Sequence, residues 1–171
     1  MLGTPHHNAR IVMGTDSDGI GNVADLDDDG DGFSDEQEAI NGTDPLNKFS
    51  CLTGCFSFDI DNSLGTAPLT DGLLVIRHLF GFSGTALTAG ATDSSGSRLA
   101  PSEISAYLSG AALELDIDGN GKSEALTDGL LLIRYLFGFA GDALINGALA
   151  ADATRTTSSE IEAYVAARKP G

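Results

Sequence analysis

From Asp59 onward the chain is written twice. Asp59-Ile60-Asp61 returns as Asp116-Ile117-Asp118, and Leu69-Thr70-Asp71-Gly72-Leu73-Leu74 returns as Leu126-Thr127-Asp128-Gly129-Leu130-Leu131, each displaced by 57 residues. Phe80-Gly81-Phe82 and Phe137-Gly138-Phe139, Arg98 and Arg155, and Tyr107 and Tyr164 keep the same offset. Aligned without gaps, residues 59–110 and 116–167 are identical at 26 of 52 positions, so the two copies share one fold. Two copies rather than many point to a pseudo-twofold pair, not a solenoid.

Each copy reads as a short Asp-rich loop, an apolar helix, a Gly-rich loop and a second helix. The first helices are expected near Asp71–Phe80 and Asp128–Phe137. Thr70 and Thr127 are the expected N-caps, and Asp71 and Asp128 stand in the first turn, where negative charge suits the helix dipole. Leu73, Leu74, Val75, Ile76, Leu79 and Phe80 leave little polar face, which implies burial on several sides. Gly81 and Gly138 are the expected stops. The second helices are expected near Ser102–Ser109 and Ser159–Arg168. The pattern is mainly α with long loops.

Ahead of the repeats lies an acidic stretch. Ten carboxylates fall between Asp16 and Glu38, and no Lys or Arg stands between Arg10 and Lys48. A disordered linker or a solvated face would look similar in composition, but the spacing argues against both. Asp27-x-Asp29-x-Asp31-Gly32-Phe33-x-Asp35-x-x-Glu38 fits the calcium-loop pattern D-x-[DN]-x-[DN]-G-x5-E without a gap. Alternate residues of such a loop turn carboxylates inward, Gly32 permits the sharp turn, Phe33 offers its carbonyl, and Glu38 clamps from the following helix. Asp16, Asp18 and Asp25 form a second, shorter loop of the same kind.

The repeats carry further copies of this chemistry. In the second, Asp116, Asp118 and Asn120 take positions one, three and five, Gly121 takes the turn, and Lys122 supplies a carbonyl. Asp128 closes the loop at position thirteen rather than twelve, so the loop holds one extra residue, and Glu124 is a further candidate. In the first copy Asp59, Asp61 and Asp71 remain, Ser63 takes position five, and Leu64 replaces the turn glycine. Calcium is the expected cofactor, with about three to four ions, since a hard cation takes six to eight oxygens of this type. Asp residues also cap turns without any metal.

The stretch Asp16 to Asn47, with Gly42-Thr43-Asp44-Pro45-Leu46-Asn47, resembles the bacterial thrombospondin type 3 repeat. That resemblance implies a calcium-filled, core-poor spacer in a secreted protein. The loop-and-helix run Asp116-Ile117-Asp118-Gly119-Asn120-Gly121 through Asp128 to Leu136, and its first-copy counterpart, resembles dockerin. That resemblance implies EF-hand-like calcium loops lacking the first helix and a protein partner of the cohesin type. The organisation expected is a mobile arm (1–15), a thrombospondin type 3-like segment (16–48) and two dockerin-like repeats (49–110 and 111–171), the repeats forming one domain.

Other classes are disfavoured. The formal charge of −16, from 25 acidic and 9 basic residues, opposes nucleic acid and anionic membranes. No apolar run approaches a membrane span of about 18 residues. No nucleophile elbow, zinc-protease helix or phosphate loop is present, so a non-catalytic role is expected. Cys51 and Cys55 are the only cysteines, and in an extracellular or cell-surface chain a local disulfide is expected. A zinc site with His6, His7 or His78 is disfavoured. Arg77, Arg134, Arg98 and Arg155 are expected to pair with carboxylates or cap helix carbonyls, and Phe82 and Phe139 to fill the core. Docking to a protein partner is the expected function, with self-assembly into a layer, stalk or fibre as the alternative.

Overall fold

A computed structural model describes residues 14–16, 18–50 and 55–170, so Cys51, His6, His7 and most of the expected N-terminal arm lie outside the described residues. The regular structure among the described residues is helical, without strands. The chain divides into two compact units, Met1–Cys55 and Phe56–Gly171.

In the first unit, loop residues 18–34 lead into helix α1 (Asp35–Asn41). Ser34 and Gln37 close a capping box, each side chain bonded to the other's backbone N–H. Gly42, left-handed at φ 77°, ends the helix and donates to the Glu38 carbonyl.

The second unit shows the duplication directly. Helices α2 (Leu73–Leu79), α3 (Thr85–Thr88) and α4 (Pro101–Gly110) are matched, 57 residues on, by α5 (Leu130–Leu136), α6 (Asp142–Ile145) and α7 (Ser158–Ala166). The helices differ from the expectations in two respects. The helix entries are π-helical turns, Pro68–Gly72 and Ala125–Gly129, closed by Gly72 N–H to Ala67 O and Gly129 N–H to Glu124 O, both 3.2 Å. The extra loop residue is absorbed there, as in π-bulges generally. Thr70 and Thr127 therefore do not cap; their hydroxyls donate instead to Asp71 and Asp128. The short helices α3 and α6 were not expected, because four residues are too few to show a period. They place Leu87 and Leu144, both fully buried, in the core.

Gly81 and Gly138 do end the first helices. Phe82 N–H bonds Arg77 O and Gly81 N–H bonds His78 O, and Phe139 and Gly138 repeat this with Arg134 and Tyr135. This Schellman arrangement puts Phe82 and Phe139 just past the helix end, where both are 49% exposed rather than core. Arg77 and Arg134 cap carbonyls as expected: each Nη1 bonds the last turn of the following short helix, at Leu87 and Ala89 O and at Leu144 and Asn146 O.

One apolar cluster spans both copies, with Phe58, Ile60, Leu74, Leu108, Ile117, Leu131 and Ile161 among its members. Helix α2 packs on the second π-turn and α5 on the first. The glycines make this crossing close: a Cβ at Gly72 would stand 3.3 Å from Ile133 and Leu136, and one at Gly129 would stand 3.1 Å from Ile76.

Candidate metal centres

Four groups of carboxylates converge, each with ligand atoms within 4.8 Å of one another: Asp16, Asp18 and Asp25; Asp27, Asp29 and Asp31; Asp59, Asp61 and Asp71; and Asp116, Asp118 and Asp128. Three of the loops turn at the same positions. Positions four and six are left-handed in each: Gly30 and Gly32 (φ 71° and 94°), Asn62 and Leu64 (55° and 68°), Gly119 and Gly121 (76° and 84°). The first carboxylate of each loop draws the same turn around itself. Asp27 accepts from the N–H of Asp31 and Gly32, Asp59 from Ser63 and Leu64, and Asp116 from Asn120 and Gly121. These bonds satisfy the loop's backbone donors while holding the carboxylates at the centre.

In the Asp27 loop the closing Glu38 is fully buried, and neither of its carboxyl oxygens has a hydrogen-bond partner. Asp29 is 4% exposed, with Oδ2 also unpartnered. Burial, then the adjacent Asp31 carboxylate, pushes the Asp29 carboxyl up to about 6. Burial likewise raises Glu38, again with Asp31 next. Both ion pairs among the described residues, Lys122–Asp152 and Arg168–Glu114, lie in the other unit. Buried acids without donors are strongly unfavourable unless a cation meets them, so the donor set fits a hard divalent metal. Asp35 Oδ1 accepts the Asp28 N–H at 3.0 Å. Phe33 donates its N–H to Asp31 Oδ1 at 2.8 Å.

In the repeats the closing carboxylates do double duty. Asp71 Oδ1 accepts from Ile60 and Asp61 N–H, and its Oδ2 accepts from Ala67 N–H and the Thr70 hydroxyl. Asp128 repeats the pattern with Ile117, Asp118, Glu124 and Thr127. Each carboxylate thus ties its π-turn to the start of its loop. Asp61 and Asp118 are fully buried. Asp118 Oδ2 accepts Ala150 N–H and Asp61 Oδ2 accepts Asp93 N–H, but Asp61 Oδ1 has no partner. Desolvation raises the Asp59, Asp71 and Asp118 carboxyls. The Ser63 hydroxyl lies 3.3 Å from Gly65 O. Asn120 Oδ1 accepts Lys122 N–H, while Asn120 Nδ2 and Lys122 Nζ both reach Asp152.

The insertion that makes each repeat long braces its loop. Arg98 N–H bonds Asp61 O, and its guanidinium bonds Ile60 O while lying 3.7 Å above the Tyr107 ring. Arg155 does the same with Asp118 O, Ile117 O, Asp116 O and Tyr164. Tyr107 and Tyr164 hydroxyls anchor the chain entering each loop, at Ser57 and Glu114. Arg98 and Arg155 therefore serve loop carbonyls rather than carboxylates. The 57-residue offset that Arg98 and Arg155 share with Tyr107 and Tyr164 was the signal in the sequence for this brace. Cys55 is disulfide-bonded.

Residues 27–48 match the family model of the bacterial TSP3 repeat, a family of calcium-binding structural repeats. No curated protein and no solved structure matches the chain. The four carboxylate groups fit calcium binding, and no helix among the described residues is long and apolar enough to cross a membrane.

Proposed function

We infer that the protein is a non-catalytic, calcium-stabilised module of an extracellular or cell-surface protein, holding about three to four ions and docking its parent to a protein partner. The carrying observation is the single loop frame used three times, with carboxylates gathered at its centre and Glu38 buried without a donor. Ligands in this reading are Asp27, Asp29, Asp31, the Phe33 carbonyl, Asp35 and Glu38; Asp59, Asp61, Ser63 and Asp71; and Asp116, Asp118, Asn120, the Lys122 carbonyl and Asp128. Asp16, Asp18 and Asp25 form the shorter centre. Binding metal to preformed loops contributes folding free energy. The Cys55 disulfide suits an oxidising compartment.

Docking draws support from Phe80 and Phe82 in one copy and Phe137 and Phe139 in the other, all about half exposed at equivalent positions. The dockerin-like loop and helix favour a cohesin-like partner. Self-assembly is the second reading, because a duplicated unit offers the same apolar pair twice. Counting bound calcium by equilibrium dialysis tests the metal reading: three to four ions per chain are expected, and none would overturn it. Light scattering with and without calcium separates the other two: a persistent monomer supports docking, and calcium-dependent large species support assembly.

A further inference from the structure

The loops differ in what surrounds their carboxylates. Of the carboxyl oxygens of Asp59, Asp61, Asp71, Asp116, Asp118 and Asp128 in the second unit, all but Asp61 Oδ1 accept a hydrogen bond. In the Asp27 loop of the first unit, Asp29 Oδ2 and both Glu38 oxygens accept none. The contrast is greatest at the closing position. Glu38, Asp71 and Asp128 are all fully buried, yet Glu38 has no donor and the two aspartates have four each. Three donors of each four are backbone N–H groups, so the fold itself supplies them. A carboxylate offers about four lone-pair sites. Asp71 and Asp128 fill theirs with two donors per oxygen, and a two-oxygen clamp on an ion would require a donor to be given up. Hydrogen bonds to the charged form stabilise it much as a cation does.

We propose that Asp71 and Asp128 are anionic latches that hold both repeats closed with no metal bound, so that calcium controls the fold of the first unit but not that of the second. This rests on the reading of the loops as calcium sites and gives them different roles. Each latch joins the start of its loop (Ile60 and Asp61, or Ile117 and Asp118) to its end (Ala67 or Glu124) and to the π-turn (Thr70 or Thr127). The helix that follows leads to half-exposed Phe80 and Phe82, or Phe137 and Phe139, so this apolar surface stays presented with or without calcium.

The test compares the full chain at neutral pH in calcium and in chelator. All three tyrosines, Tyr107, Tyr135 and Tyr164, lie in the second unit and the chain has no tryptophan, so near-ultraviolet circular dichroism in the tyrosine band reads that unit alone. Exchange of the Gly42 amide, which ends α1 on the Glu38 carbonyl, reads the first. In chelator the tyrosine signal and its cooperative melt persist, while Gly42 loses protection about tenfold or more. Asp128→Asn turns one accepting oxygen into a donor among donors, so its tyrosine melt in chelator falls by about 5 °C or more. An ion clamp predicts the opposite sign: without metal, removing one of three converging charges relieves repulsion and raises that melt. Thr127→Val deletes one donor and keeps the charge, and its melt in chelator falls by about 2 °C or more. Loss of the tyrosine signal in chelator, or an Asp128→Asn melt at or above that of the unmodified chain, overturns the proposal. If Asp128→Asn folds in neither condition, Thr127→Val decides in its place, and an unchanged melt overturns the proposal. If neither Gly42 nor the tyrosine melt of the unmodified chain responds to calcium, the calcium reading fails instead, and the variants in chelator still decide the latch.

Discussion

Leu64 offers the sharpest quantitative test of the shared loop frame. It holds φ 68° at the position where the other two loops place Gly32 and Gly121. A side chain in that left-handed region costs about 1–2 kcal/mol relative to glycine. Glycine in turn loses about 0.5–1 kcal/mol through its freer unfolded chain. Leu64 is 81% exposed, so its removal surrenders little buried surface. Its N–H bond to Asp59 Oδ2, 2.8 Å, uses the backbone and survives substitution. Leu64→Gly should therefore stabilise the second unit by about 0.5–1 kcal/mol, or roughly 2–5 °C in Tm. Differential scanning calorimetry in calcium and in chelator reads this out. Leu64→Ala keeps the Cβ and should recover little of the gain, and Gly121→Leu should lose stability by about 1 kcal/mol. A Leu64→Gly protein that melts at or below the parent temperature would refute the argument, because the side chain would then be contributing more than the strain it carries.

Three further outcomes follow from the centres. Glu38→Gln removes a charge from a buried, donor-free position, so calcium binding at the Asp27 loop should weaken about tenfold or more by titration calorimetry, with the repeats unaffected. Arg155→Leu breaks the guanidinium bonds to Ile117 O and Asp116 O and the contact with Tyr164; a loss of about 2–3 kcal/mol in urea melts is expected. For pH, the Asp29 carboxyl stands raised from 3.8 to about 6 in the folded chain. A raised carboxyl contributes stability below its unfolded value and loses it as pH rises through the folded one. Without calcium, amide protection around Asp31–Phe33 should thus fall between about pH 4 and 7. With calcium the order reverses, because the ion displaces the proton: affinity declines as pH drops through about 6, and binding near that pH releases protons that calorimetry in two buffers detects.

The loops were legible in the sequence because a cation's need for converging oxygens dictates residue spacing directly. Asp27, Asp59 and Asp116 each stand first in such a series, and each heads the same turn. The repeat was legible for a simpler reason, identity at a fixed offset. What escaped was whatever depends on packing. The extra residue before Asp71 and Asp128 was visible as a count, but its accommodation in a π-turn reflects the four donors that pull each carboxylate back over its loop. Phe82 and Phe139 read as core by composition, yet the glycine before each reverses the chain and turns the ring outward. Arg98 and Arg155 are cations in an acidic chain, so carboxylate partners seemed natural; burial of the Ile60 and Ile117 carbonyls gave them stronger claims.

The reciprocal crossing at Gly72 and Gly129 makes the two copies depend on each other. Each copy's helix leans on the other copy's entry turn, so half of this domain would present a raw seam to solvent. The two copies are therefore a single folding unit, since neither can cover its own entry turn without the helix of the other.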